Sequence, residues 1–140
     1  MKKLHTFEEF LNESQLNEAK AKTLSPREII GKPIKIGKLE IAENDFPKEM
    51  KWPVCIESCD NLGDGWRLPT IEELQIMYEN KEKIGGFQTK EGQDQPSSCY
   101  YWSSTEVDEK KAKYIHFFEG MTGDSYKKAM YFNARAVRSI

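Results

Sequence analysis

Apolar residues recur along this chain with two different periods, helical in the first half and strand-like in the second. At the start, Leu4, Phe7, Phe10 and Leu11 fall three to four residues apart, with Glu8, Asn12, Glu13 and Gln15 off that face. Thr6 and Glu9 form a capping box, so the pattern predicts an amphipathic helix from Leu4 to about Ala21. Its apolar stripe is too narrow to make a core and needs a partner surface, either its own domain or another protein. Thr23 to Pro26 breaks the helix, and Pro26 reads as a linker. Ile34, Ile36, Leu39 and Ile41 then alternate around Gly37, as two short strands or one bulged strand would.

Two further helices are signalled. Pro53 suits a first turn, Cys55, Ile56, Cys59 and Leu62 supply an apolar face, and Gly63 provides the stop. Thr70 and Glu73 make a second capping box ahead of the stripe Ile71, Leu74 and Tyr78, with Gly85-Gly86 beyond the end. Lys90 to Ser98 is polar and turn-rich and reads as a loop. Strand-like runs follow at Tyr100–Ser104, Lys113–Glu119, Ser125–Phe132 and Ala134–Ser139, with a hairpin turn expected at Gly120–Asp124. Helices first and antiparallel strands afterwards indicate an α+β domain with two helices and an antiparallel sheet, not a parallel α/β fold. Residues 1–26 form a helical tag and linker, and 27–140 the domain.

Composition narrows the function. With 38% apolar and 11% aromatic residues in 140, the chain can bury a core of its own. Its 21 basic and 23 acidic residues leave a net charge of −2, which argues against nucleic-acid binding. The richest basic stretch, Lys110 to Lys113, is flanked by Glu106, Asp108 and Glu109 and reads as a solvated turn. No run is long and apolar enough for a membrane span, and Lys2-Lys3 lead into polar residues instead of a signal-peptide core, so the expected place of synthesis is a cytoplasm. Three cysteines make a poor disulfide framework. Cys55 and Cys59, spaced i, i+4, read as small buried residues, and neither His5 nor His116 stands at ligand spacing from them, so no metal is expected.

Three motifs carry a resemblance. Gly65-Trp66-Arg67-Leu68-Pro69-Thr70-Ile71-Glu72-Glu73-Leu74, then Tyr101-Trp102-Ser103-Ser104-Thr105-Glu106, then Ala134-Arg135-Ala136-Val137-Arg138 resemble, in order and spacing, the Lcl C-terminal domain family. That bacterial and phage family is related to the formylglycine-generating-enzyme branch of C-type-lectin-like folds, so the resemblance implies a C-type-lectin-like frame from about Ile30 onward. Each motif residue also has a physical reading. Trp66 and Trp102 bury large apolar areas, and Arg67 is a clamp for carbonyls or a carboxylate. Pro69, Thr70 and Glu73 start a helix, while Ser103 and Ser104 satisfy local backbone groups. Arg135 and Arg138 fall on opposite faces of the last strand by alternation. Architecture, more than ligand contact, is their expected role.

The fold class raises chemistries that these residues do not support. C-type lectins hold calcium with a Glu-Pro-Asn or Gln-Pro-Asp loop and a Trp-Asn-Asp strand, and here Gln95-Pro96-Ser97 and Trp102-Ser103-Ser104 lack the carboxylates. Formylglycine-generating enzymes use paired cysteines with copper, but only Cys99 lies in the C-terminal half. Nothing in the spacing links Ser103 or Ser104 to His116 as nucleophile and base. The expectation is a non-enzymatic module without cofactor. The face Tyr114, His116 and Phe118 is either an exposed partner-binding patch or the second side of a two-faced core.

The first segment, Phe7-Glu8-Glu9-Phe10-Leu11-Asn12-Glu13 and Leu16-Asn17-Glu18, resembles the head-targeting leaders of T-even-like phage proteins, which a prohead protease cuts after glutamate in a Leu-x-Glu context. That resemblance marks Glu13 and Glu18 as processing positions, and Phe7, Phe10 and Leu11 as contacts to a capsid protein. The combined expectation is a virion protein, capsid-associated or decorating, that displays a lectin-like domain. The alternative is an adhesin-like protein binding a cell-surface glycan or receptor.

Overall fold

Ser25 opens the described chain with a helix. The computed structural model describes residues 24–88 and 99–140. The expected N-terminal helix, with Phe7, Phe10, Leu11, Glu13 and Glu18, and the Lys90–Ser98 loop lie outside them. The Ser25 hydroxyl accepts from Glu28 N, and the Glu28 carboxylate accepts from Ser25 N, so Pro26 is the first residue of helix α1 (Pro26–Ile30) instead of a linker. Proline suits that position because its missing N–H would have had no partner there.

Strands β1 (Ile34–Ile36) and β2 (Leu39–Ile41) form the hairpin around Gly37, which sits at φ +60°. Strand β2 also pairs with β6 (Val137–Ser139), joining the two ends of the described chain. Helices α2 (Trp52–Asp60), α3 (Ile71–Glu79) and the single turn α4 (Lys81–Ile84) follow. Strands β3 (Tyr100–Glu106), β4 (Lys111–His116) and β5 (Thr122–Tyr126) then form an antiparallel meander. The architecture is α+β, as the pattern predicts. The one expected sheet is instead two three-stranded antiparallel sheets, β1-β2-β6 and β3-β4-β5, because the first hairpin recruits the C-terminal strand and not the meander.

The register explains the packing. Tyr100 stands opposite His116 and Trp102 opposite Tyr114 on one face of the meander, while Tyr101 opposite Ile115 points to the other. The first face meets α2 through Cys55, Cys59, Trp66 and Phe132. The second meets α3 through Leu74 and Met77, with Phe117 and Val137. Both sides of this sheet are therefore covered by a core.

Four expectations are corrected. The turn placed at Gly120–Asp124 begins at Phe117, and Thr122–Asp124 are already strand β5. Phe117 is drawn inward against Phe87 and Tyr101, which ends β4 early. Gly120 closes the turn at φ +79°, where a Cβ would lie 2.6 Å from the Tyr78 ring. The strand expected over Ser125–Phe132 stops at Tyr126, because Lys127 turns its side chain inward. In the last motif, alternation fails: Ala134, Arg135, Ala136 and Val137 are all buried, since the chain there threads between the two cores before joining β2.

Candidate binding surface

The three motifs converge on one another. Arg67 N donates to Val137 O at 2.8 Å and Val137 N returns the bond to Arg67 O at 2.9 Å, stitching the first motif to the third. After Trp102 the β3–β4 register shifts, and Ser103 Oγ donates to Lys113 O at 2.8 Å while accepting from Thr105 N. Freed from the ladder, Ser104 N donates to Pro69 O at 2.7 Å and Thr105 Oγ1 accepts from Ile71 N at 2.9 Å. The bulge thus docks the second motif onto the start of α3, the end capped by Thr70.

Each arginine of the three motifs has an internal partner. The Arg67 guanidinium grips Glu73 with two bonds of 2.6 and 2.8 Å, and Glu73 Oε1 also accepts from Thr70 N, so clamp and capping box share one carboxylate. Arg67 holds the Glu73 carboxyl below the usual range, and Glu73 in turn raises Arg67. Arg138 donates to Glu40 at 2.6 Å and to Asp64 O, with its guanidinium 5.0 Å from the Trp66 ring.

Arg135 is fully buried. It donates to Asp45 at 2.7 Å and to the carbonyls of Ala42 and Gly85, and its plane lies 4.1 Å over Phe87. Its Nη2 has no hydrogen-bond partner, and the ring beneath partly compensates for that. Asp45 also accepts from the Tyr101 hydroxyl at 2.6 Å, which itself accepts from Gln88 N. Burial pushes Asp45 above the usual carboxylate range, against the pull of Arg135 and Tyr101, and the same burial pushes Tyr101 up. Asp45 and Phe87 carried no pattern that would have singled them out, and Tyr101 stood out only as part of the second motif, because their roles arise only once Arg135 arrives from the far end of the chain.

The open question over Tyr114, His116 and Phe118 resolves by position. His116 is buried against the edge of Tyr100 (4.6 Å), and Tyr114 packs on Tyr100 and Phe132. Phe118 lies past the end of β4 and is exposed. The three do not form one patch. His116 Nδ1 has no hydrogen-bond partner and stands 3.8 Å from a Glu119 oxygen. Cys99 is buried one position before the Tyr100–His116 pair, its carbonyl accepting from Phe117 N, and the Ser103 hydroxyl is engaged as described.

An exposed aromatic surface occurs elsewhere, where the β3–β4 turn, the start of α2 and the segment after β5 meet. Lys127 builds its floor. Its ammonium, itself buried, donates to Glu106 at 2.6 Å, Asp108 O at 2.8 Å and Glu109 O at 3.2 Å, and sits 4.5 Å over Trp52. Trp52 Nε1 in turn donates to Ser103 O, and Asp108 caps the turn through Lys110 N and Lys111 N, which hold its carboxyl low. Tyr126, next to Lys127, and Tyr131 further along the same segment are about half exposed, each with a lysine ammonium (Lys111, Lys51) near its ring. A shallow depression of about 520 Å³ lies between Glu109, Lys110, Tyr126 and Lys128. A half-exposed ring beside cations and a carboxylate can stack on an apolar face and hydrogen-bond around it.

A small α+β domain whose signature residues bind one another is the class this fold defines. The chain belongs to the Lcl C-terminal domain family, whose model matches residues 37–138, most of its length. No curated protein matches the chain. Among the described residues no helix is long and apolar enough to cross a membrane.

Proposed function

We propose that this chain is a non-enzymatic binding module on a C-type-lectin-like frame, carried by a phage virion through its N-terminal segment and displayed there. The observation that supports it is the inward commitment of the motifs. Trp66, Arg67, Glu73, Trp102, Ser103, Arg135 and Arg138 are spent on partners inside the domain, which leaves the exposed turns to make contacts. A rigid frame with variable surface turns suits display. The N-terminal leader-like segment supplies the reason to place it on a capsid. Mass spectrometry of purified virions is expected to detect the protein. Finding it only in the host lysate, and never on particles, sinks the virion reading.

A second reading, an adhesin-like glycan-binding protein, is favoured by the half-exposed Tyr126 ring in the lining of its depression. It predicts measurable polysaccharide binding that Tyr126→Ala weakens by about tenfold, the loss of one stacked ring. A blank screen with folded protein disposes of it.

A further inference from the structure

A groove of about 270 Å³ runs beside α1, its apolar lining formed by Leu24, Ile29, Phe46, Met50 and Leu62, with Lys48 at the rim. Leu24 is the first described residue, and it precedes the N-cap Ser25. Leu24 and Ile29 therefore occupy the two positions of a hydrophobic staple, a contact that fixes the angle at which the chain arrives at a helix. The described chain thus begins in the lining of an apolar groove.

We infer that this groove is the docking site for the chain's own N-terminal segment, with Phe7, Phe10 and Leu11 as the side chains that fill it. Three features choose this occupant over a second copy or another protein. The segment carries an apolar stripe with no core of its own to join. Its lysines (Lys2, Lys3, Lys20 and Lys22) stand at the two ends, while Glu8, Glu9 and Glu13 flank the stripe itself and can meet Lys48. It is also tethered: twelve residues, Asn12–Thr23, separate stripe from groove, enough to reach back at up to about 40 Å when extended and to hold the stripe at millimolar effective concentration. The stripe is covered in the free chain, whatever partner takes it later.

The test uses the full chain with a nitroxide on Ser14→Cys. Cys55, Cys59 and Cys99 are fully buried, so the label goes to the new thiol. Methyl signals of Ile29, Met50 and Leu62 are expected to lose most of their intensity, and Phe7→Ser with Phe10→Ser to restore it. Lys48→Glu restores part of it. Unchanged methyl signals away from the groove show that the serine variant is folded. Undiminished groove methyls in the labelled parent overturn the inference. So does broadening seen only when spin-labelled and isotope-labelled chains are mixed, since a second copy would then be the occupant.

Discussion

Arg67 presents a planar fork of donors, and Glu73 meets it with both oxygens while also closing the Thr70 capping box. Glu73→Ala removes clamp and cap together and is expected to cost about 1–3 kcal/mol in chemical denaturation, reduced toward the lower end because Arg67 remains partly solvated. The pH dependence has a definite sign. Glu73 is held lower in the folded chain than in the unfolded one, so its contribution is present above about pH 4 and is lost as pH falls through the lowered folded value. In Glu73→Gln the urea midpoint should change less over that acid range than in the parent. Arg135 is the harsher case. Arg135→Met strands Asp45 in the core without its cation, and the expected loss is about 3–5 kcal/mol by denaturation. Adding Asp45→Asn recovers a large part of it, because the uncompensated charge is the source of the loss.

The elements most legible in the sequence were those whose signals are local. Helix α3 begins at Ile71 behind Thr70 as its capping box requires, and Gly37 turns the first hairpin. Less legible were elements ended by distant partners. Strand β5 stops where Lys127 dives toward Glu106 and the 108–109 carbonyls, and β4 stops where Phe117 enters the core. No window around either residue contains that information. The bulge in β3 is a testable joint: Ser103→Ala leaves Lys113 O without its hydroxyl donor and Thr105 N without its acceptor. The expected cost is about 1–3 kcal/mol. Faster amide exchange confined to Ser104, Thr105 and Ile71 would confirm that the bulge docks β3 onto α3.

At the scale of the whole molecule, one sheet serves two cores. Trp102 and Phe132 face α2, and Tyr101 and Phe117 face α3. Burial pushes the Cys55 thiol up to about 12 and Cys59 higher than usual as well. Both are therefore poor nucleophiles while the domain is folded. Alkylation of these thiols should follow the opening of the α2 core, so its rate should fall in step with measured stability across variants. Rapid labelling at neutral pH in a folded sample would mean that α2 opens separately from the rest. The α+β class, the family, the caps of α3 and the architectural use of the two tryptophans were legible before any coordinates. Those follow from periodicity, from residue spacing within a turn or two, and from motif order. Only the assembled chain sets the two sheets, the cover on both faces of the meander, the meeting of Arg135 with Asp45, and the seat of the Lys127 ammonium over Trp52. Each of these depends on side chains brought together across many tens of residues, where chain connectivity sets the geometry and no local pattern records it.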